Sequence, residues 1–433
     1  MSKADRKTFV GFGFGPIQSG LFLYEAQVSG NFRRLVVAEV VEDLVCAVRA
    51  NGGRYTVNIA RPDRIDRVPI EGVEIYNPRD AADRAALVEA VAESDEMATC
   101  LPSVQFYDAD EQTSVAGAIA EGLARRSDRA PGRPAILYAA ENHNHAAEIL
   151  RQRLAAHAGG AALAGLQTLN TVIGKMSGVI ADRQAVDRIG LETITPDIPR
   201  AILVEEFNRI LISRIALPGF RRGIEVFLEK DDLLPFEEAK LYGHNAIHSL
   251  IAYLADLKGL HTIAEAGRDP QIMQIARQAF LAESGQALIR RHAALGDPLF
   301  TPAGYEQYAE DLLERMVNPY LNDLVWRVGR DPVRKLGYDD RLFGTMRLAL
   351  RYGVRPVGLA LGAAAGVVSM IRHRDELDPP PRRLPAAPSE LTAEGLRELL
   401  VEIWGDKGDE RGEELIGMTW EAVGRLRREG YEL

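Results

Sequence analysis

Cysteine is scarce in this chain: 433 residues hold only Cys46 and Cys100. Both sit in apolar surroundings, DLVCAV and MATCLP, so the expectation is two buried thiols in a reducing compartment and a fold that needs no disulfide. A basic excess is also missing. Lys and Arg number 52 against 62 Asp and Glu, a formal charge of −10, which argues against nonspecific nucleic-acid binding because that needs cations to displace phosphate counterions. There is no long apolar run: the longest, Pro356 to Ile371, spans 16 residues with glycine interruptions, short of the ~20 needed to cross a bilayer. No repeat at solenoid periods is visible. The start, MSKADRKTFVGFGFG, passes from charges directly into a strand and a glycine turn, which leaves no room there for the apolar region of a signal peptide. Together these absences lead to the expectation of a cytoplasmic protein with no nucleic-acid or membrane partner.

What is present describes a globular chain, with 46% apolar and 26% charged residues. From Lys7 to about Pro199, short β-branched runs (TFVGFGF, RRLVVAEV, EMATCLP, AILYAAEN) alternate with amphipathic stretches, the pattern of βαβ units and a mostly parallel sheet. The spacing predicts helices over Asp80–Ser94, Thr113–Arg125 and Ala146–His157, with Asp80 and Thr113 as capping types. After Ile212 the segments become long helical patterns. The expected class is therefore α/β plus all-α: an N-terminal Rossmann-type domain, 1–212, followed by an all-helical domain, 213–433. Five prolines crowd DPPPRRLPAAPSE, a stiff connector near 379–390 ahead of the last helices.

Three motifs carry chemistry. The first is Gly11-Phe12-Gly13-Phe14-Gly15-Pro16-Ile17-Gln18-Ser19-Gly20, between a predicted strand and an apolar helix. Glycines there permit a tight turn and bring backbone N–H groups at a helix start to a pyrophosphate. Counted from Gly13, the third glycine of GxGxxG is replaced by Gln18, which leaves the detailed pyrophosphate geometry open. The next strand ends near Glu39, 24 residues after Gly15. A carboxylate at that point accepts from ribose hydroxyls and repels a 2′-phosphate, so NAD is the expected cofactor. Gly11, Gly13, Phe14, Gly15, Pro16, Ile17 and Glu39 form the candidate cofactor set.

The second motif is Lys240-Leu-Tyr-Gly-His244-Asn245-Ala-Ile-His248. At ~100° per residue, Lys240, Asn245 and His248 fall within one sector of ~140° on an α-helix. A desolvated lysine has a depressed pKa and can act as a general base near neutrality. An asparagine amide can stabilise a developing oxyanion, and a histidine can orient substrate or lysine. The third motif, Glu141-Asn142-His143-Asn144-His145, follows a strand, where ligands of open α/β sheets bind.

These residues resemble the polyol-specific long-chain dehydrogenase/reductase (mannitol dehydrogenase) family, whose signature is a lysine, an asparagine five positions on and a histidine three further. Lys240, Asn245 and His248 match it, and the layout looks most like the mannitol-1-phosphate branch. The resemblance implies that Asn142 completes the oxyanion pair with Asn245, that Thr99 and Glu141 join Asn142 on the cofactor side, and that LQTLNTVIGKMSGVIA borders the substrate through Asn170 and Lys175. His244, Arg221 and Arg222 are further candidates for substrate contact. The implied activity is NAD-dependent hydride transfer between a polyol, polyol phosphate or sugar acid and the matching ketose, in a monomer or small homo-oligomer without metal. Two alternatives stay open at this point: a metal enzyme using His143, His145, His244 and His248, and a noncatalytic NAD-binding regulator.

Overall fold

The run Lys7–Phe12 is buried beyond its first residue and forms β1, the centre of the N-terminal sheet. The computed structural model describes residues 6–110, 113–407 and 410–431. It divides into two units, Met1–Leu234 and Pro235–Leu433. In the first, β1 is followed by β2 (Phe32–Ala38), β3 (Tyr55–Ala60), β4 (Ile65–Ile70), β5 (Val73–Tyr76), β6 (Glu96–Thr99), β7 (Ala135–Ala139) and β8 (Leu166–Val172). There follow β9 (Ser177–Ile180), β10 (Ala201–Glu205), β11 (Leu211–Ser213) and β12 (Leu228–Lys230). The main sheet runs β12-β11-β8-β7-β6-β1-β2-β5. Its pairs from β5 to β8 are all parallel, and the chain reverses direction of winding between β1 and β6, the switch point at which such sheets bind ligands. Among the described residues of this sheet, the one antiparallel pair is β11 with β8.

A second sheet, β4-β3-β10-β9, is built from the β2–β5 and β8–β11 connections. Its Val57, Ile59, Ile202 and Val204 share a core with Phe14, Leu21 and Phe22, so it covers the helix that follows the glycine loop. Asp80 caps Ala81–Glu93, accepting from the N–H groups of Ala82 and Asp83. Ser114 caps Val115–Arg129, rather than Thr113, and the third helix covers Ala146–His157 as the spacing predicts.

The helix after the glycine loop opens with a π-turn, Gln18–Phe22, before Leu23–Ser29. The Leu23 N–H reaches back five residues to the Gln18 carbonyl, which leaves the Ser19 carbonyl without its helical donor. The buried Tyr55 hydroxyl on β3 supplies one at 2.9 Å. Tyr55→Phe should therefore strand a buried carbonyl and cost about 1–3 kcal/mol, read as a lower denaturation midpoint of the N-terminal unit. An unchanged midpoint would show that the turn holds itself.

The second unit is helical. The apolar run becomes the buried helix Val357–Arg372, which packs on Ala246–Leu257 and on Glu410–Arg428. Gly362 and Gly366 lie against Leu250 and Tyr253, where a Cβ would fall 2.9 Å from either side chain, so the glycines allow a close helix crossing. No described helix is long and apolar enough to cross a membrane. The proline stretch is tied down through the Arg382 and Arg383 N–H groups, which both donate to the Glu402 carboxylate at 2.8 Å.

One expectation fails here. Cys46 is exposed and Cys100 only partly covered. Cys46 lies on Glu42–Ala50, whose buried face is Leu44, Val45, Ala47 and Val48; an amphipathic helix turns the intervening position outward whatever its neighbours' polarity.

Candidate active site

Beyond the ends of β1 and β2 lies a pocket of about 630 Å³. Gly13, Phe14, Gly15, Pro16, Ile17 and Glu39 form one wall, and Leu87, Leu101, Phe106 and Val115 contribute an apolar one. Gly13 has φ +83°, and a Cβ there would sit 2.8 Å from the Cys100 carbonyl oxygen, so only glycine fits the turn. At Gly15 an added Cβ would meet nothing within 4 Å, which leaves the backbone open to approach. Gly11 does not line the pocket. It makes room for Gln18 instead: the Gln18 amide lies where a Gly11 side chain would be. The missing third glycine is thus compensated on the strand rather than the helix.

Glu39 is a brace as well as a candidate ligand. Its Oε2 accepts from the Phe14 N–H at 2.8 Å, and its Oε1 accepts from Val40 and Val41 at 2.7 and 2.9 Å. A carboxylate has about four lone-pair sites, so one on Oε2 remains for a ribose hydroxyl. Arg79, which no motif singled out, shares this wall.

Thr99 and Glu141 are turned toward each other. The buried Glu141 carboxylate accepts from the Thr99 hydroxyl at 3.0 Å, the Leu101 N–H at 2.9 Å and the Tyr107 hydroxyl. Burial raises its pKa, and those donors oppose the rise. The pair shapes the loop that presents Cys100 and Leu101 to the pocket. Asn142, His143 and His145 are exposed just beyond it. Asn170 accepts from the Ala147 N–H and donates to Glu148, capping the helix Ala146–His157. The buried Lys175 ammonium binds the carbonyls of Glu205 and Phe207. Arg222 donates to the Phe227 carbonyl at 2.7 Å and pairs with Glu229 at 3.4 Å, whereas Arg221 is exposed.

In the second unit Lys240 stands in another π-turn, Ala239–Asn245, which runs directly into Ala246–Leu257. This corrects the regular helix assumed for the motif. The extra residue in the turn rotates everything after it by about 100°, which narrows the sector holding Lys240, Asn245 and His248 from ~140° to ~60°. Burial, together with the nearby Arg341 guanidinium and against the opposing charge of Glu237, lowers the Lys240 pKa to about 8. His248 Nε2 lies 3.3 Å from Asp323 Oδ2. Asp323 is itself buried and bridged by Arg327 at 2.6 and 2.9 Å. Burial works against ionisation of Asp323, but His248 and Arg327 hold its carboxyl below the usual range. His244 is buried, and burial with the neighbouring His248 pushes its pKa well below the ordinary value, so it is neutral at pH 7. Asp323 and Arg341 escaped the sequence reading because nothing in NPYLNDL or YDDRLFG marks them; both reach the motif only through helix packing.

The histidines form two pairs, His143 with His145 and His244 with His248, with ring centroids 6.2 and 5.9 Å apart. Among the described residues, no group of three or more His, Cys, Asp or Glu side chains is arranged to hold a metal ion.

Residues 232–384 match the family model of the mannitol dehydrogenase C-terminal domain. Mannitol-1-phosphate 5-dehydrogenase of Halalkalibacterium halodurans is 31% identical over 373 residues, 84% of this chain and 89% of the relative. The enzyme of the same name from Brevibacillus brevis is 31% identical over 314 residues, 72% of this chain and 74% of the relative. Among solved structures, mannitol 2-dehydrogenase of Pseudomonas fluorescens, in ternary complex with NAD and D-mannitol, aligns with a TM-score of 0.71 at 19% identity over 100% of this chain and 94% of that one. A substrate-free D-sorbitol dehydrogenase aligns with a TM-score of 0.74 at 16% identity over 98% and 94%.

Proposed function

The chain belongs to the mannitol dehydrogenase family, and from that membership we propose that it is an NAD-dependent oxidoreductase interconverting a polyol, or a polyol phosphate or sugar acid, with the corresponding ketose. The observation that carries the reading is Lys240, a lysine with its pKa lowered to about 8 and sharing one helix face with Asn245 and His248. The cofactor pocket fits a dinucleotide, with an open backbone at Gly15, a glycine turn at Gly13, and the Glu39 carboxylate beyond β2. Gly13 to Ile17 would hold the pyrophosphate and Glu39 the ribose; NAD, when bound, would supply the two-electron acceptor for the hydride.

The residues of the chain do the rest. Lys240, as the free amine, accepts the hydroxyl proton in oxidation, and as the ammonium returns it in reduction. Asn245 donates its amide hydrogens to the substrate oxygen as charge develops there. His248, with the Asp323 carboxylate beside its ring, orients the substrate or the lysine. With an amine base and amide donors, the proposed reaction needs no Lewis acid. We assign the activity to a monomer or small homo-oligomer in the cytoplasm.

A panel of polyols, polyol phosphates, aldonates and ketoses, followed through NADH absorbance after dialysis against a strong chelator, tests the reading. Turnover with at least one pair, undiminished by the chelator, is expected. No turnover with any member would overturn the assignment, and activity restored only by one divalent ion would favour a histidine-bound metal.

A further inference from the structure

The π-turn that gathers Lys240, Asn245 and His248 has a consequence for the backbone. In a regular helix the Ala246 N–H would donate to the Tyr242 carbonyl. Here it donates to the Gly243 carbonyl, and the Tyr242 carbonyl is left to find a donor elsewhere. The donor is Ser284, whose fully buried hydroxyl lies 2.8 Å from that oxygen. Ser284 sits in a further π-turn, Ala279–Gly285, and its oxygen is 3.1 Å from the Tyr305 hydroxyl, which can donate to it and so free the serine proton for Tyr242. The buried Thr345 hydroxyl lies 3.2 Å from the same carbonyl, and its single proton is shared with the Arg341 carbonyl.

We propose that Ser284, seconded by Thr345, is a positioning residue: by satisfying the Tyr242 carbonyl it stabilises the turn that puts Lys240 on one face with Asn245 and His248. The alternative is close at hand. If both hydroxyls are removed, the Tyr242 carbonyl becomes a buried acceptor without a donor, which the helix can relieve by taking back the Ala246 N–H and returning to the regular register. That change rotates Lys240 by about 100° relative to Asn245 and His248. Neither residue touches the reacting atoms; they act through the register of the helix. The inference rests on the lysine mechanism proposed above.

The test compares wild type with Ser284→Ala, Ser284→Ala/Thr345→Val and Ser284→Ala/Thr345→Ser, together with Lys240→Ala as reference. The readouts are kcat and KM for the polyol, the pH profile of oxidation, NAD binding by fluorescence, and the melting temperature. A misplacement of about 1 Å at a reacting group can cost about 10²-fold, so the S284A/T345V variant should lose at least tenfold in kcat and show a displaced alkaline-rising limb. NAD affinity should stay within about twofold, because the cofactor loop belongs to the other unit. S284A/T345S, which keeps one hydroxyl, should recover a large part of kcat. A folded S284A/T345V with wild-type kcat and pH profile, or one changed only in melting temperature, would overturn the proposal. If the double variant does not fold, S284A alone decides by the same criteria. An active Lys240→Ala would instead refute the mechanism; an inactive one beside an unaffected Ser284 pair refutes only the positioning role.

Discussion

Lys240→Ala is expected to lower kcat for polyol oxidation by about 10²–10⁴-fold, the usual contribution of a positioned acid–base group. The wild-type rate of oxidation should rise with pH through about 8, because the ammonium must lose its proton before it can accept one from the substrate. Reduction should show the opposite limb and fall as pH rises through the same value, since there the ammonium is the donor. Both limbs should vanish in Lys240→Ala. Binding of NAD should hardly change, because the Gly13 turn and Glu39 belong to the first unit. A solvated surface lysine would behave differently: its removal would cost under about 0.5 kcal/mol of stability and leave turnover intact. Wild-type kcat with an unaltered pH profile in the variant would therefore remove the base from the mechanism.

The second large effect concerns the nucleotide. With the Glu39 carboxylate at the end of β2, kcat/KM for NAD should exceed that for NADP by about two or more decades, the equivalent of a few kcal/mol of repulsion toward a 2′-phosphate. Glu39→Ser separates two roles that the structure superimposes on one side chain. As a brace, the carboxylate holds the N–H groups of Phe14, Val40 and Val41, so its loss should lower kcat/KM with NAD. As a discriminator, it repels phosphate, so its loss should raise the absolute kcat/KM with NADP, helped by the Arg79 guanidinium on the same wall. A narrowed ratio produced only by the fall with NAD would leave Glu39 as a brace alone. Equal or better use of NADP by the wild-type protein would overturn the cofactor assignment outright.

Particular residues show how much of this could be read from the chain. The strand, glycine turn, helix and acidic residue from Lys7 to Glu39 are consecutive, so local pattern carries them, and β1, β2 and the pocket wall stand where that pattern predicts. The second sheet was not legible. Its central strand β3 is buried at every residue and pairs with β10 almost 150 positions later, a partner that alternation within a short window cannot register. Cys46 was misjudged for a related reason: an apolar neighbourhood in sequence says nothing about which face of the helix a residue occupies. Asn170 and Lys175 have the chemistry of substrate ligands, yet the fold spends them on a helix cap and on two backbone carbonyls.

By itself the sequence determined the class of the fold, the family, and the lysine, asparagine and histidine proposed to bear the chemistry, because composition, hydrophobic period and motif spacing are local properties of the chain. Only the tertiary structure decided what surrounds those residues. The Tyr242 carbonyl, in the turn that holds Lys240, accepts from Ser284, 42 positions away. His248 faces Asp323, 75 positions away, and the pKa of Lys240 depends on burial and on Arg341. Desolvation, and hydrogen bonds between elements remote in the chain, exist only once those elements pack; no spacing rule contains them.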